Sequence, residues 1–203
     1  MTGSCGNKEC LDRLSYLPAI TSKFRHYEQI GLRVRSFIDL GIHDKLDPAK
    51  LAETVGLKIV SLDAVSGLSE EAKAILSDSA AGWSGGASST LPDGSHIIFL
   101  NPSQSPGRQA ATLMEEICHV LLGHQQSKIG LGENHRNYND SIEEEAYSVG
   151  AAALVPYRSL ACNLARGQSI QSIARHFGVT QALIRYRMRI LHLTVVSSGI
   201  FTT

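Results

Sequence analysis

The chain has 203 residues, 43% of them hydrophobic, and 19 basic against 19 acidic side chains, so its formal charge at neutral pH is zero. That length and apolar content can bury one good core without disulfides or oligomerisation, and one main domain is expected. No run of about 18 apolar residues occurs, and Met1 to Cys10 lacks a basic patch followed by an apolar stretch; neither a membrane span nor a signal peptide is expected, and the expected location is the cytoplasm. The cysteines Cys5, Cys10, Cys118 and Cys162 are too few and too scattered for a disulfide framework. Cys5 and Cys10 are near enough to pair or chelate, whereas Cys118 and Cys162 read as small core residues.

Residues 1 to about 22 mix Gly, Asn and Ser with little periodicity and read as a lead-in with no chemistry of its own. From Lys23 to Leu40 the apolar positions Phe24, Tyr27, Ile30, Val34, Phe37 and Ile38 recur every three or four residues, which predicts an amphipathic helix ending near Gly41. Asp47-Pro48 caps a shorter helix that runs to Val55 and closes at Gly56. Leu57 to Leu62 predicts a strand, and Ser69 to Leu76 a short helix. The Gly-, Ser- and Ala-rich stretch from Ala80 to Thr90, around Trp83, leads through Pro92-Asp93-Gly94 into His96-Ile97-Ile98-Phe99-Leu100; together they predict a hairpin. Ser105-Pro106 offers an N-cap and a first-turn proline to a helix from Pro106 to Leu122 that stops at Gly123. A third major helix spans Ser141 to Leu154 and ends at Val155-Pro156, and Tyr157 to His192 reads as three helical pieces.

No Asp or Glu follows Glu145, while Arg158, Arg166, Arg175, Arg185, Arg187 and Arg189 do. The two ends of the chain therefore carry opposite charge and face different partners, or each other. Within the basic end, Ile170, Ile173, Ala174 and Phe177 make one apolar face, Gly178 makes a turn, and Thr180 caps a further helix bearing Arg185, Arg187 and Arg189. That is the spacing of a helix-turn-helix, whose second helix reads DNA or grips phosphates through its arginines. The same pair of helices also suits a cap packed on the core, with its arginines offsetting the acidic front portion.

On the Pro106 helix, Ala111, Met114, Ile117, Cys118, Leu121 and Leu122 form an apolar stripe, so the element packs inward and its polar residues need a reason. Glu115 and His119 are four apart, about 40° offset on a helical wheel and roughly 6 Å between Cβ atoms, close enough to hold one ion. Glu116 lies one step round. In HExxH proteins this spacing supplies two metal ligands and an intervening general base. Solvated glutamates beside a hydrogen-bonded histidine satisfy the same pentapeptide. The third helix adds Glu143, Glu144 and Glu145 at its start, a carboxylate cluster about 25 residues downstream, as a third ligand requires. His124, about 140° round the helix from His119, can share the ion only where the helix ends first, as Gly123 allows; otherwise it reads as a surface histidine or a partner of a ligand. The loop from Gln125 to Asp140 offers Glu133, His135 and Tyr138 as alternative candidates to stabilise a developing oxyanion, and the sequence does not choose among them.

The order of these motifs resembles the ImmA/IrrE family of metallo-endopeptidases over roughly residues 25 to 190. In outline that family has an N-terminal helix, an LA-x-x-x-G segment, a strand-turn-strand, HExxH-x-LLxH, E-x-E-A-x-x-x-A-x-x-L-x-x-P and a helix-turn-helix-like segment. This chain supplies Leu51-Ala52 with Gly56, Trp83 to Leu100, Glu115 to His124, Glu143 to Pro156 and Ile170 to Ile190, in that order. The resemblance implies His119 as a zinc ligand, Glu116 as general base and Glu143, by register from Pro156, as the downstream carboxylate ligand; Glu144 and Glu145 remain alternatives. It departs at Glu115, which stands where the family places its first metal-binding His and turns HExxH into EExxH. A Glu115, His119, Glu143 set either holds zinc, with manganese or iron brought into competition, or marks a pseudo-enzyme that kept the fold and lost the metal.

The expected architecture is therefore α+β and zincin-like. It has a lead-in at 1–22, a peptidase-like core with a small twisted sheet at 23–156 and a basic helix-turn-helix-like segment at 157–203. The expected activity is regulatory cleavage of a protein partner, by resemblance a helix-turn-helix repressor in a stress-response or mobile-element circuit. The rival expectation is a catalytically inactive transcriptional regulator that contacts DNA through Arg185, Arg187 and Arg189.

Overall fold

The computed structural model describes residues 21–61, 64, 67, 69–77, 86–90, 94–124, 140–196 and 199–201. The lead-in before Thr21, Cys5 and Cys10, Trp83, and the loop residues Glu133, His135 and Tyr138 lie outside them. Among the described residues the elements run α1 (Ser22–Ser36), α2 (Pro48–Thr54), β1 (Leu57–Val60), α3 (Glu70–Ser77), β2 (Gly86–Thr90), β3 (His96–Leu100), α4 (Pro106–Leu121) and α5 (Asp140–Leu154). They continue with α6 (Tyr157–Ala165), α7 (Ile170–Phe177), α8 (Gln181–Ile190), β4 (Thr194–Val196) and β5 (Gly199–Phe201). The fold is α+β. β3 is the centre of a three-stranded sheet, pairing antiparallel with β2 as the hairpin composition requires and parallel with β1. β4 and β5 form a second, two-stranded antiparallel sheet that no sequence pattern announced. No helix among the described residues is long and apolar enough to cross a membrane.

α5 is the central helix, and α1 and α4 both pack along it. Its run of Gly150, Ala151, Ala152 and Ala153 explains how one helix serves two neighbours. A Cβ on Gly150 would sit 3.2 Å from the Met114 carbonyl carbon of α4, and one on Gly31 of α1 would sit 2.9 Å from the Ala152 Cβ and the Ala153 nitrogen. The helices thus touch backbone to backbone on both sides, around a core that includes Met114, Ile117, Cys118, Ala146 and Val149. Overpacking such a contact costs about 1–3 kcal/mol. Gly31→Ala should therefore destabilise the chain by about that amount, read as a drop in the denaturant midpoint.

α1 stops earlier than its apolar period suggests. Phe37 and Ile38 continue the stripe, yet the helix ends at Ser36, Asp39 adopts φ 52°, and the Leu40 amide donates back to the Arg35 carbonyl. The reason is Arg35, a fully buried guanidinium that donates to the carbonyls of Gly41, Asp44 (2.6 Å) and Ala153 (2.6 Å). Collecting these acceptors folds the chain back over the end of α1 and satisfies a last-turn carbonyl of α5.

The C-terminal helices join the same core. Ser169 and Thr180 cap α7 and α8 by accepting from the Ser172 and Leu183 amides, and Gly178 turns between them at φ 69°. A Cβ on Gly107, in the first turn of α4, would meet the Val179 carbonyl carbon at 2.8 Å, so this turn rests directly on the start of α4. Arg187 corrects the expectation of three DNA-facing arginines. It is 1% exposed, pairs with Glu28 of α1, and donates to the Val155 carbonyl at 3.2 Å. Glu28 also accepts from the Tyr157 amide at 2.9 Å. The opposite charges at the two ends of the chain thus meet inside the protein, and Arg187 is a core residue, out of reach of a duplex. Cys118 is a buried free thiol, as its stripe position implies, while Cys162 is buried but disulfide-bonded, which its spacing does not reveal.

Candidate metal centre

The antiparallel contact of Met114 with Gly150 fixes the register of α4 against α5, and about two turns N-terminal on α5 the chain places its carboxylate cluster opposite the end of α4. The three neighbouring glutamates go to three different places. Glu143 comes within 3.3 Å of His119 Nε2, Glu144 forms an exposed ion pair with Lys23 at 2.7 Å, and Glu145 lies 3.3 Å from His124 Nε2. Glu115 joins the first of these: one ligand atom each from Glu115, His119 and Glu143 lie within 4.8 Å of one another. All three side chains are half-buried. Glu116, one residue round α4, is half-buried too.

The electrostatics of this cluster are those of an anionic pocket short of positive charge. Burial, with Glu116 and Glu143 close by, pushes the Glu115 carboxyl up to about 7, against a smaller opposing pull from Arg108. His119 is pushed down by burial, with Glu143 working in the other direction. Two carboxylates and one imidazole nitrogen facing a shared point, one of the carboxylates reluctant to ionise, make a donor set that a divalent cation fits: it neutralises the charge that burial penalises.

A model of the family described as the IrrE N-terminal-like domain (Peptidase_M78) matches residues 52–189. The chain belongs to this family. The matched span carries the Glu115, Glu116 and His119 helix, Glu143, and α7 and α8 nearly to their end, and the α+β core has the zincin-like form expected of such a peptidase domain. No curated protein matches the chain. Among solved structures, a Mycobacterium tuberculosis transcriptional regulator aligns at 15% identity with a TM-score of 0.48, over 89% of this chain and 51% of that one. This chain therefore spans about half the length of that regulator.

Within the IrrE-like domain the site has neighbours that helical-wheel reasoning passes over. α4 ends at Leu121, Gly123 adopts φ 69°, and the His124 amide donates to the His119 carbonyl at 2.9 Å. This left-handed closure swings His124 back over His119, so that the two rings lie edge to face at 5.1 Å with their Nδ1 atoms 3.1 Å apart. On the other flank, Tyr147 of α5 meets Tyr186 of α8 edge to face at 4.9 Å, and the Tyr186 hydroxyl pairs with Ser148 at 3.0 Å. Burial pushes the Tyr147 phenol up, with Tyr186 and Glu115 adding to it. Arg189 lies over the Tyr186 ring at 5.7 Å. The basic segment thus forms one wall beside the cluster. No local pattern signals this, because Tyr147 and Tyr186 sit on helices far apart in sequence.

Proposed function

We propose that this chain is a metal-dependent endopeptidase in which Glu115, His119 and Glu143 hold a divalent ion and Glu116 is the general base. The observation that carries the reading is the convergence of one imidazole and two carboxylates, from two helices of the core, within 4.8 Å. The bound ion supplies Lewis acidity toward the scissile carbonyl. Glu116 takes the proton of the attacking water on a carboxylate oxygen and delivers it to the departing amine nitrogen. Burial keeps both half-reactions in a poorly solvated pocket, where these charges act strongly. Zinc is the ion that the family resemblance implies. With Glu115 in place of a histidine, the oxygen-rich set brings Mn2+ or Fe2+ into competition, and its extra negative charge leaves the ion less able to activate water, so turnover is slow.

The substrate we infer is a protein partner in the cytoplasm, by resemblance a helix-turn-helix repressor, and the role is regulatory. Metal content of protein purified without a histidine tag tests the site. The wild type carries about one equivalent of a transition metal, and His119→Ala carries none. A wild type devoid of metal after reconstitution with Zn2+, Mn2+ and Fe2+ would overturn the proposal.

A second reading, a catalytically inactive regulator, draws on the exposure of Arg185 and Arg189 on α8, the second helix of the pair. It predicts a DNA mobility shift at low salt that fades steeply as salt rises and that Arg185→Ala with Arg189→Ala weakens. Arg187 plays no part in it. Failure to shift any duplex at low salt removes this reading.

A further inference from the structure

Beyond the proposed ligands, a second pair of side chains stands behind His119. Glu145 Oε2 lies 3.3 Å from His124 Nε2, and His124 Nδ1 lies 3.1 Å from His119 Nδ1. Across its ring, His119 Nε2 faces Glu143 Oε2 at 3.3 Å. The His124 side chain is 9% exposed, so the middle of this chain of contacts is sheltered from water.

We propose that Glu145 and His124 are positioning residues that hold His119 in its Nδ1-protonated tautomer and so present the Nε2 lone pair to the ion. A carboxylate only accepts, so the Glu145 contact places a proton on His124 Nε2. A neutral imidazole protonated at Nε2 has its lone pair on Nδ1, where it accepts from the Nδ1–H of His119. His119 is then left with an unprotonated Nε2. That nitrogen faces the carboxylate of Glu143 with no hydrogen between two acceptors, a repulsion that the two contacts behind the ring hold in place and that a bound cation relieves. The fold builds the relay from independent parts: α5 supplies Glu145 two residues after Glu143, and the Gly123 turn returns His124 over the end of α4. The inference rests on the metal-site reading above. Outer partners of this kind set the tautomer and orientation of a ligating histidine, and removing them typically lowers metal affinity by about 10–100-fold.

The test uses the full chain and Zn2+ alone as probe, with affinity read by chelator competition and the His119 tautomer read by 15N NMR of the metal-free protein. His124→Phe and Glu145→Ala are expected to weaken Zn2+ binding by about 10–100-fold, and to convert His119 from the Nδ1–H form to a tautomer mixture. Glu145→Gln retains an acceptor oxygen for His124 Nε2–H and should stay within a few-fold of wild type, as a role through the net charge of Glu145 does not predict; a purely steric role would leave the His119 tautomer unmoved in every variant. Because Glu145 is a third exposed, its variants keep the test meaningful even if His124→Phe fails to fold. Wild-type affinity in His124→Phe and Glu145→Ala, or a His119 Nε2–H tautomer in the wild type, overturns the relay alone. Absence of Zn2+ binding in the wild type overturns the metal-site reading beneath it.

Discussion

Replacing Glu116 by Gln should abolish peptide cleavage while leaving metal content unchanged. Glutamine preserves the size of the side chain and its place on α4, but cannot accept the proton of the attacking water; general bases contribute about 10²–10⁴-fold to a hydrolysis. Glu115, His119 and Glu143 are untouched, so metal stoichiometry and the thermal midpoint of the loaded protein remain those of wild type. Cleavage of the partner, followed by gel or mass spectrometry, should therefore fall by about two to four orders of magnitude with no loss of bound ion. Undiminished cleavage in this variant would remove Glu116 from the mechanism. The contrast with His119→Ala is the useful one, since that variant should lose activity and ion together.

Glu115→Gln should do two opposite things. It deletes an anionic donor, so divalent affinity falls steeply. It should also stabilise the metal-free protein, because burial beside Glu116 and Glu143 holds the Glu115 carboxyl up at about 7 against an ordinary 4.5. Below pH about 4.5 the group is protonated whether the chain is folded or not, and it contributes no penalty. Between there and about 7 the unfolded chain loses the proton first, and folding stability drains away as pH rises. Above about 7 the penalty is fully present, at most about 3 kcal/mol for a shift of this size and less to the extent that the group sees water. Denaturant midpoints of metal-free wild type and Glu115→Gln should accordingly coincide near pH 4 and separate by pH 8, with the variant the more stable. Equal midpoints at both pH values would show that the cluster is better solvated than its burial implies. Added metal should reverse the order, because the ion stabilises only the chain that binds it.

The amphipathic helices were legible because their period is local: Met114, Ile117, Cys118 and Leu121 state which face of α4 points inward, and the helix runs as that stripe requires. The hairpin of β2 and β3 was legible from composition and a turn. Counting back from Pro156 marked Glu143, and that is the glutamate the structure brings to His119. What escaped was set by contacts distant in sequence. A hydrophobic-or-polar reading puts an arginine outside, and the Glu28 carboxylate with the Val155 carbonyl makes a core position of Arg187. His124 was legible in part: the stop at Gly123 allowed it to be a partner of a ligand, but its place over the His119 ring depends on the left-handed turn of Gly123 that undoes the wheel offset. Phe37 and Ile38 extended the α1 stripe in sequence, but the acceptors gathered by Arg35 ended the helix before them.

The glycine at position 150 has a further meaning. The separation between the two halves of the donor set is fixed where α5 presses on Met114, about 10 Å along the helix from Glu143, by a residue with no side chain of its own. α5 acts as a ruler with its zero mark in the core. A methyl group added there would lie 3.2 Å from the Met114 backbone and press α5 away from α4, the helix that carries the other two donors. In the proposed site the spacing of the donors is thus open to adjustment from inside the protein, at a position that no inspection of the ligands would single out.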